Sequence, residues 1–157
     1  MKTLWKRTLQ LWLFGFAKVP MIFWLRPRVL SLSTEKAVVM IPLKRRSKNH
    51  LNSMYYGALC VGADIAGGIQ VLNVLGGDLK KISFAFKDVK GEFLKRPEAD
   101  VHFTCVDGQV VQDVIKKSMQ TKERENAAVN VIATTPTITG NEPVARFTLT
   151  ISGKYKG

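Results

Sequence analysis

The chain has 157 residues, 46% of them apolar and 23% charged, a balance that fits one globular domain with a sizeable core and excludes a disordered tail or a disulfide-stapled miniprotein. The formal charge of +12 is concentrated early: residues 1–50 hold eleven basic residues and one acid, Glu35, while the rest is almost neutral. That asymmetry points the first third toward an anionic partner: a membrane surface, a nucleic acid or a phosphate-bearing small molecule. Cys60 and Cys105 have neither CxxC spacing nor zinc-type neighbours, so both read as reduced core residues and no metal site is expected.

The first segment, MKTLWKRTLQLWLFGFAKVPMIFWLRP, looks like a membrane element. Its apolar runs, Leu11 to Ala17 and Val19 to Leu25, are parted at Lys18 and interrupted by Pro20, so neither approaches the ~20 residues that span a bilayer. Lys2, Lys6 and Arg7 ahead of an apolar stretch ending in Gly15-Phe16-Ala17 have the outline of a signal peptide, broken by Gln10. Trp5, Leu9, Trp12 and Phe16 share one helical face, with Lys2, Lys6 and Gln10 lying elsewhere. An amphipathic helix followed by an extended segment is therefore expected over residues 1–27. Its apolar face would pack across the domain, against a dimer partner, or at a membrane interface through its Trp and Lys/Arg content.

A second unit is expected over residues 28–157. VLSLST and KAVVMIPL read as strand, turn and strand. After the basic loop KRRSKNH comes SMYYGALCVGADIAGGIQVLNVL, a helix buried on nearly all sides, with Ser53 or Asn52 as N-cap and Gly76-Gly77 closing it. Gly57, Gly62, Gly67 and Gly68 inside it imply that something approaches its backbone closely, since each costs about 1 kcal/mol against Ala. KISFAFKDVKGEFLKRPEADVHFTCV predicts two strands that pair antiparallel around Arg96-Pro97-Glu98. Asp107 is expected to cap a short surface helix whose apolar stripe is Val110 and Val114 with Val111 and Met119, its Lys116-Lys117 pair facing solvent. Two final strands meet at Gly140-Asn141 as a hairpin. The count is one buried helix and about five long strands, an α+β pattern.

Asp64 is the residue that asks for chemistry. It lies in the middle of the most apolar helix, where burial disfavours the ionised carboxylate and raises its pKa, as is typical of general bases and nucleophiles. A buried cationic partner or a gap into solvent would serve it equally. Tyr56 and Gly57 fall in the helix's first turn, where backbone N–H groups lack acceptors and can bind a carbonyl oxygen. Asp64 follows Gly57 by two turns on nearly the same face and ~10 Å along the axis. One chain therefore cannot apply both to one atom, and a two-fold partner would have to bring its own Asp64.

The segment NHLNSMYYGALCVGADIAGG resembles the central-helix motif of hotdog-fold acyl-CoA thioesterases of the phenylacetyl-CoA type, roughly N-x(6)-H-G-G-x(6)-[DE]. Asn49 matches the Asn, Gly57 the second Gly and Asp64 the acid, while Tyr55 stands at the His and Tyr56 at the first Gly. FLKRPEADVHFTC, with Arg96, resembles the family's aromatic-Leu-Arg-Pro-Ala strand, and the likeness covers about Arg28 to Ser152, nearest to a thioesterase-like branch with Met-Tyr-aromatic-Gly in place of His-Gly-Gly. The resemblance implies a hotdog fold, a long central helix wrapped by an antiparallel sheet. It also implies Asp64 as base or nucleophile, the Tyr56 N–H as oxyanion donor, and Asn49 as an orienting group for carbonyl or water. Tyr55 would supply a hydroxyl in place of imidazole, or serve as a core aromatic.

On that reading the substrate is an acyl-CoA or acyl carrier protein thioester and no cofactor is needed beyond the CoA it carries. Lys44, Arg45, Arg46 and Lys48, with Arg96, would hold the CoA phosphates, unless the loop is simply solvated. A cytoplasmic homodimer or tetramer is expected, with peripheral membrane contact through the N-terminal helix left open. A dehydratase acting on 3-hydroxyacyl groups would use His50, fourteen residues before Asp64, but the Pro-rich stretch between them is missing. A non-catalytic acyl- or CoA-binding module is the other alternative. Nucleic acid is not expected, since KRRSK interleaves no aromatics with its cations.

Overall fold

The computed structural model describes residues 2–76 and 79–157, apart from the side chains of Lys2 and Leu79. Helices α1 (Lys2–Lys18) and α2 (Pro20–Leu25) lead into strands β1 (Arg28–Leu32) and β2 (Ala37–Ile41). The long helix α3 (Tyr56–Val74), β3 (Ile82–Phe93), β4 (Val101–Cys105), α4 (Gly108–Thr121), β5 (Arg124–Thr134) and β6 (Pro143–Tyr155) follow. The strands form one antiparallel sheet in the order β1-β2-β4-β5-β6-β3, with α3 packed against β2, β4, β5 and β6. Alternation in β4 and β5 turns Val101, Phe103, Val129 and Val131 inward to this helix. A long central helix wrapped by an antiparallel sheet is the hotdog architecture expected above, with six strands rather than about five.

β3 and β4 do not pair. β3 lies at the far edge beside β6, and β4 sits between β2 and β5. The reason is the seven residues between them, which cross the start of α3: the Met54 N–H donates to the Pro97 carbonyl at 2.9 Å and the Leu94 N–H to the Val144 carbonyl at 2.9 Å. Alternating residues establish that a segment is a strand but carry no information about its neighbour. The crossover brings Arg96 beside the N-terminus of α3. The closing hairpin of β5 and β6 forms as expected.

Helix α3 starts at Tyr56, with Tyr55 as an extended N-cap that makes no capping bond through its side chain. Ser53 and Asn52 are not the cap, because they belong to a tight loop closed by Asn49, in which Asn52 adopts a positive φ of 60°. At the other end Gly76 takes the left-handed conformation, φ +60°, after the C-cap Leu75; Gly77 and Asp78 lie outside the described residues. The close approach foreseen for the helix glycines is real at Gly62, where a β-carbon would fall 2.3 Å from the Phe103 ring. At Gly67 and Gly68 a β-carbon would meet ordinary van der Waals distances, so contact does not demand glycine there.

Helix α1 carries two apolar stripes, and the one that packs is not the aromatic one. Thr8, Leu11 and Gly15 are buried: the Thr8 hydroxyl accepts the N–H of Val29 at 3.0 Å on the edge strand β1, and Gly15 lets α2 turn back so tightly that a β-carbon there would lie 2.7 Å from the Phe23 nitrogen. The stripe of Trp5, Leu9 and Phe16 is exposed, with Trp12 half-buried and its indole N–H given to the Pro27 carbonyl at 2.6 Å. Helix α4 buries Val111, Val114 and Ile115, while Met119 stays exposed. Asp107 stands at its N-cap, but its carboxylate is drawn to β5, where it accepts the Asn130 backbone N–H at 2.7 Å.

Candidate active site

Strands β2, β4, β5 and β6 together with α2 and α4 pack on α3, and over residues 56–71 they leave one side incompletely covered. Tyr56, Gly57, Cys60, Val61, Asp64 and Gly68 remain partly or wholly open, a stripe at spacings of three and four that the packed elements cover incompletely. Asp64 is its only charged residue. Burial alone pushes the Asp64 carboxyl up from the ordinary carboxylate range to about 6; no basic group offsets it. Neither a salt bridge nor a hydrogen bond to this carboxylate occurs among the described residues, which leaves it with the lone pairs a base or nucleophile needs.

Two hollows meet at Asp64. One, of about 210 Å³, lies under the α1–α2 hairpin and is walled by Leu11, Phe14, Ile22, Phe84 and Phe86; its lining is almost wholly apolar, as an acyl chain would require. The other is a shallow cleft along Cys60, Val61, Phe86, Val89 and Leu149. Cys60 is thus half-buried on the open stripe rather than a core residue, and burial raises its thiol pKa, so it is a poor nucleophile; Cys105 is buried in the core. A break in β3 register between Phe86 and Asp88 lets Phe84 and Phe86 flank the first hollow while Val89 and Phe93 stay exposed further along.

The remaining candidates gather about two turns away, at the start of α3. Asn49, His50, Tyr55, Tyr56, Phe93 and Arg96 line one open cleft of about 640 Å³. The N–H groups of Tyr56, Gly57 and Ala58 have no acceptor among the described residues, the first intrahelical bond being Leu59 N–H to the Tyr55 carbonyl at 3.1 Å. The Tyr55 and Tyr56 rings lie 4.8 Å apart, Tyr56 meets Phe93 edge-on, and Phe93 in turn meets Phe147 edge-on. The nearby Tyr56 hydroxyl holds the Tyr55 phenol above its ordinary pKa. Asn49 is committed to its loop through Oδ1, which accepts the Leu51 and Ser53 N–H groups at 2.9 and 3.2 Å; its Nδ2 has no acceptor among the described residues. His50 is exposed on this cleft and does not line the hollows at Asp64.

Of the basic loop, Arg46 is already engaged: its guanidinium donates to the Trp24 carbonyl at 2.9 Å and sits over the Trp24 ring, fastening the end of α2. Lys44, Arg45 and Lys48 are exposed on a loop held by its backbone, the Ser47 hydroxyl donating to the Pro42 carbonyl at 2.7 Å and the Tyr55 N–H to the Ser47 carbonyl at 2.8 Å. Arg96 is exposed and loosely paired with Glu98 at 3.9 Å. Within one chain the structure therefore joins Asn49, Tyr55, Tyr56, Gly57 and Arg96 and leaves Asp64 apart. Sequence reasoning missed the second wall of the Asp64 hollow, Phe84 and Phe86 with Leu11 and Phe14; the first pair was legible as two aromatics on one face of a strand.

The family described as a domain of unknown function, DUF4442, matches residues 7–152. No curated protein matches the chain. A crystal structure of a protein of unknown function from Chlorobaculum tepidum superposes with a TM-score of 0.80 at 11% identity, over 95% of this chain and 94% of that one. A Pseudomonas aeruginosa protein described as a probable thioesterase gives 0.75 at 18% identity, covering 94% and 95%. A candidate thioesterase from Shewanella oneidensis gives 0.75 at 13%, covering 98% and 99%. These likenesses bear out the hotdog fold that the central helix segment implied.

Proposed function

The chain belongs to the DUF4442 family, and from the site that its hotdog fold carries we propose that it hydrolyses acyl thioesters, with Asp64 as the base or nucleophile. One observation carries this reading: the single charged residue on the open stripe of α3 is a carboxylate with no partner among the described residues, beside an apolar hollow. In hydrolysis, water adds to the thioester carbonyl, the carbon–sulfur bond breaks, and the water proton taken by the carboxylate passes to the departing thiolate. If Asp64 attacks first, its oxygen bonds to the carbonyl carbon, the thiolate leaves as the mixed anhydride forms, and water then opens the anhydride to release the acid, restore the carboxylate and supply the thiolate's proton. Either way negative charge builds on the carbonyl oxygen, and the acceptor-free Tyr56 N–H at the positive end of α3 is the donor suited to it.

Because the carboxylate and the donor are about 12 Å apart along one helix, the reading requires a second copy. The free edge of β3, with Val89 and Phe93 exposed beside the open stripe, is the surface on which a two-fold partner would bring its Asp64 to the Tyr56 end. Arg96 lines the cleft at that end and, with Lys44, Arg45 and Lys48 exposed on the loop that leads into it, suits the phosphates of CoA or the phosphopantetheine of a carrier protein.

A second reading follows from the tyrosines. The Tyr55 ring lies against Gly57 over the first turn, which favours binding of an acyl thioester without turnover. A panel of acyl-CoA substrates from short to long, tested with the wild type and Asp64→Asn, separates the two. Hydrolysis reduced at least ~10²-fold by the substitution supports the hydrolase; binding without turnover in the wild type supports the second reading.

A further inference from the structure

We propose that α1 and α2 form a docking face for an anionic lipid bilayer. The outward face of this hairpin presents Trp5, Leu9, Leu13, Phe16, Met21 and Trp24, with Trp5 57%, Phe16 68% and Trp24 62% exposed. These side chains are displayed by a rigid platform. The opposite face of α1 is anchored in the core through Leu11, Gly15 lets the two helices touch, and edge-on ring pairs Trp5–Trp12 and Phe16–Phe23 hold the aromatics in place at 5.6 and 5.3 Å.

Charge chooses the occupant. No acid occurs before Glu35, and Lys6 and Lys18 on α1 and Arg28 just after α2 are exposed. Aromatic and aliphatic side chains rimmed by cations match the headgroup–acyl boundary of an anionic membrane, where Trp rings settle and each cation adds attraction. A second copy would bring two strongly basic segments together without an acidic counterpart, which works against a face-to-face dimer here. Too short to span, α1 would lie in the interface plane.

The hairpin's inner side also walls the hollow at Asp64 through Leu11, Phe14, Val19 and Ile22. Docking would therefore hold that hollow against the source of long acyl chains; this consequence rests on the proposed hydrolase function, whereas docking itself does not.

All three tryptophans of the chain, Trp5, Trp12 and Trp24, belong to the hairpin, so intrinsic fluorescence reports on it alone. The full chain is mixed with sedimentable phosphatidylcholine vesicles containing about one-third phosphatidylglycerol, and with pure phosphatidylcholine vesicles. The expected results are a blue shift of Trp emission and at least ~10-fold stronger partitioning to the anionic vesicles, weakened at high salt. The double substitution Leu13→Ser and Met21→Ser removes side chains about 60% exposed and keeps all three tryptophans; it should keep the circular dichroism and cut vesicle binding at least ~10-fold. Absence of wild-type binding to anionic vesicles overturns the proposal, as does undiminished binding by the folded double variant. A fall in assembly size on that substitution would instead assign the face to a second copy. Because binding is read without turnover, failure of the hydrolase reading leaves this test intact.

Discussion

The ring of Tyr55 lies so close over Gly57 that a β-carbon on Gly57 would fall 2.6 Å from the ring edge. Residues 55 and 57 are therefore one choice: where an aromatic folds back over the first turn of α3, only glycine fits beneath it. Gly57→Ala should swing the Tyr55 ring outward and lower Tm by about 2–4 °C, the mild end of overpacking because the ring can move into solvent. In a Tyr55→Ala background the same substitution should cost nothing. Thermal unfolding of the two single variants and the double tests the coupling; additive effects would show that the ring is not held by Gly57.

Asp64 should set an acidic limb on the rate. Its carboxyl is raised to about 6, and the ionised form is the active one, so kcat/KM should fall tenfold per pH unit below about 6 and level off above it. A pH–rate profile with 3-hydroxyacyl-free, simple acyl-CoA substrates measures this; a flat profile down to pH 4.5 would remove Asp64 from the reaction.

The same carboxyl bears on stability in the opposite sense. Its folded pKa exceeds the unfolded one, so the native state binds the extra proton between about pH 4 and 6 and loses stability as pH rises through that window. Above pH 7 the ionised Asp64 is a standing cost, and with no partner to lose, Asp64→Asn should stabilise the chain on the order of 1–3 kcal/mol. The gain should vanish below pH 4. Denaturant unfolding at pH 8 and pH 4 checks both signs, and a destabilised Asp64→Asn at pH 8 would reveal a buried partner.

Sharing of one site by two chains can be tested by complementation. Tyr55 has φ −62° and ψ 137°, a conformation suited to a residue before proline, and Tyr56 is the first residue of α3, where proline is tolerated. Tyr56→Pro should remove the proposed oxyanion N–H with the helix intact. Mixed after dissociation, inactive Asp64→Asn and Tyr56→Pro chains should recover about a quarter of wild-type activity, since half the dimers would carry one complete site. No recovery in demonstrably mixed dimers would place both groups in one chain.

The basic loop divides into two roles. Lys44→Ala with Arg45→Ala should raise KM for acyl-CoA by about tenfold, leave kcat unchanged and have no effect on acyl-pantetheine, as loss of phosphate contacts requires. Arg46→Ala frees the Trp24 carbonyl and should lower Tm while changing KM little. Steady-state kinetics on both substrates and thermal scans on both variants separate phosphate binding from fastening of α2.

Residue pattern alone determined a good deal: the buried helix, the strand alternation, the final hairpin and the isolated carboxylate at position 64 are all local properties, expressed as periodicity, glycine placement and burial of charge. The early concentration of Lys and Arg is likewise legible without coordinates. Tertiary structure decided what depends on non-local pairing. β3 parts from β4 because their connection must cross the start of α3, and that crossing carries Arg96 to the cleft. Helix α1 bears apolar residues on two sides, so periodicity could identify its stripes but not which one turns inward; Thr8 on the free N–H of Val29 and Gly15 beneath α2 make that choice. Ser53 and Asn52 satisfy local capping rules, yet Asn49 claims them for its loop and delays the helix to Tyr56. Asp64 stands on the open stripe for the same kind of reason: β2, β4, β5 and β6 with α2 and α4 pack on the rest of α3, and where cover ends is a property of the whole chain's packing.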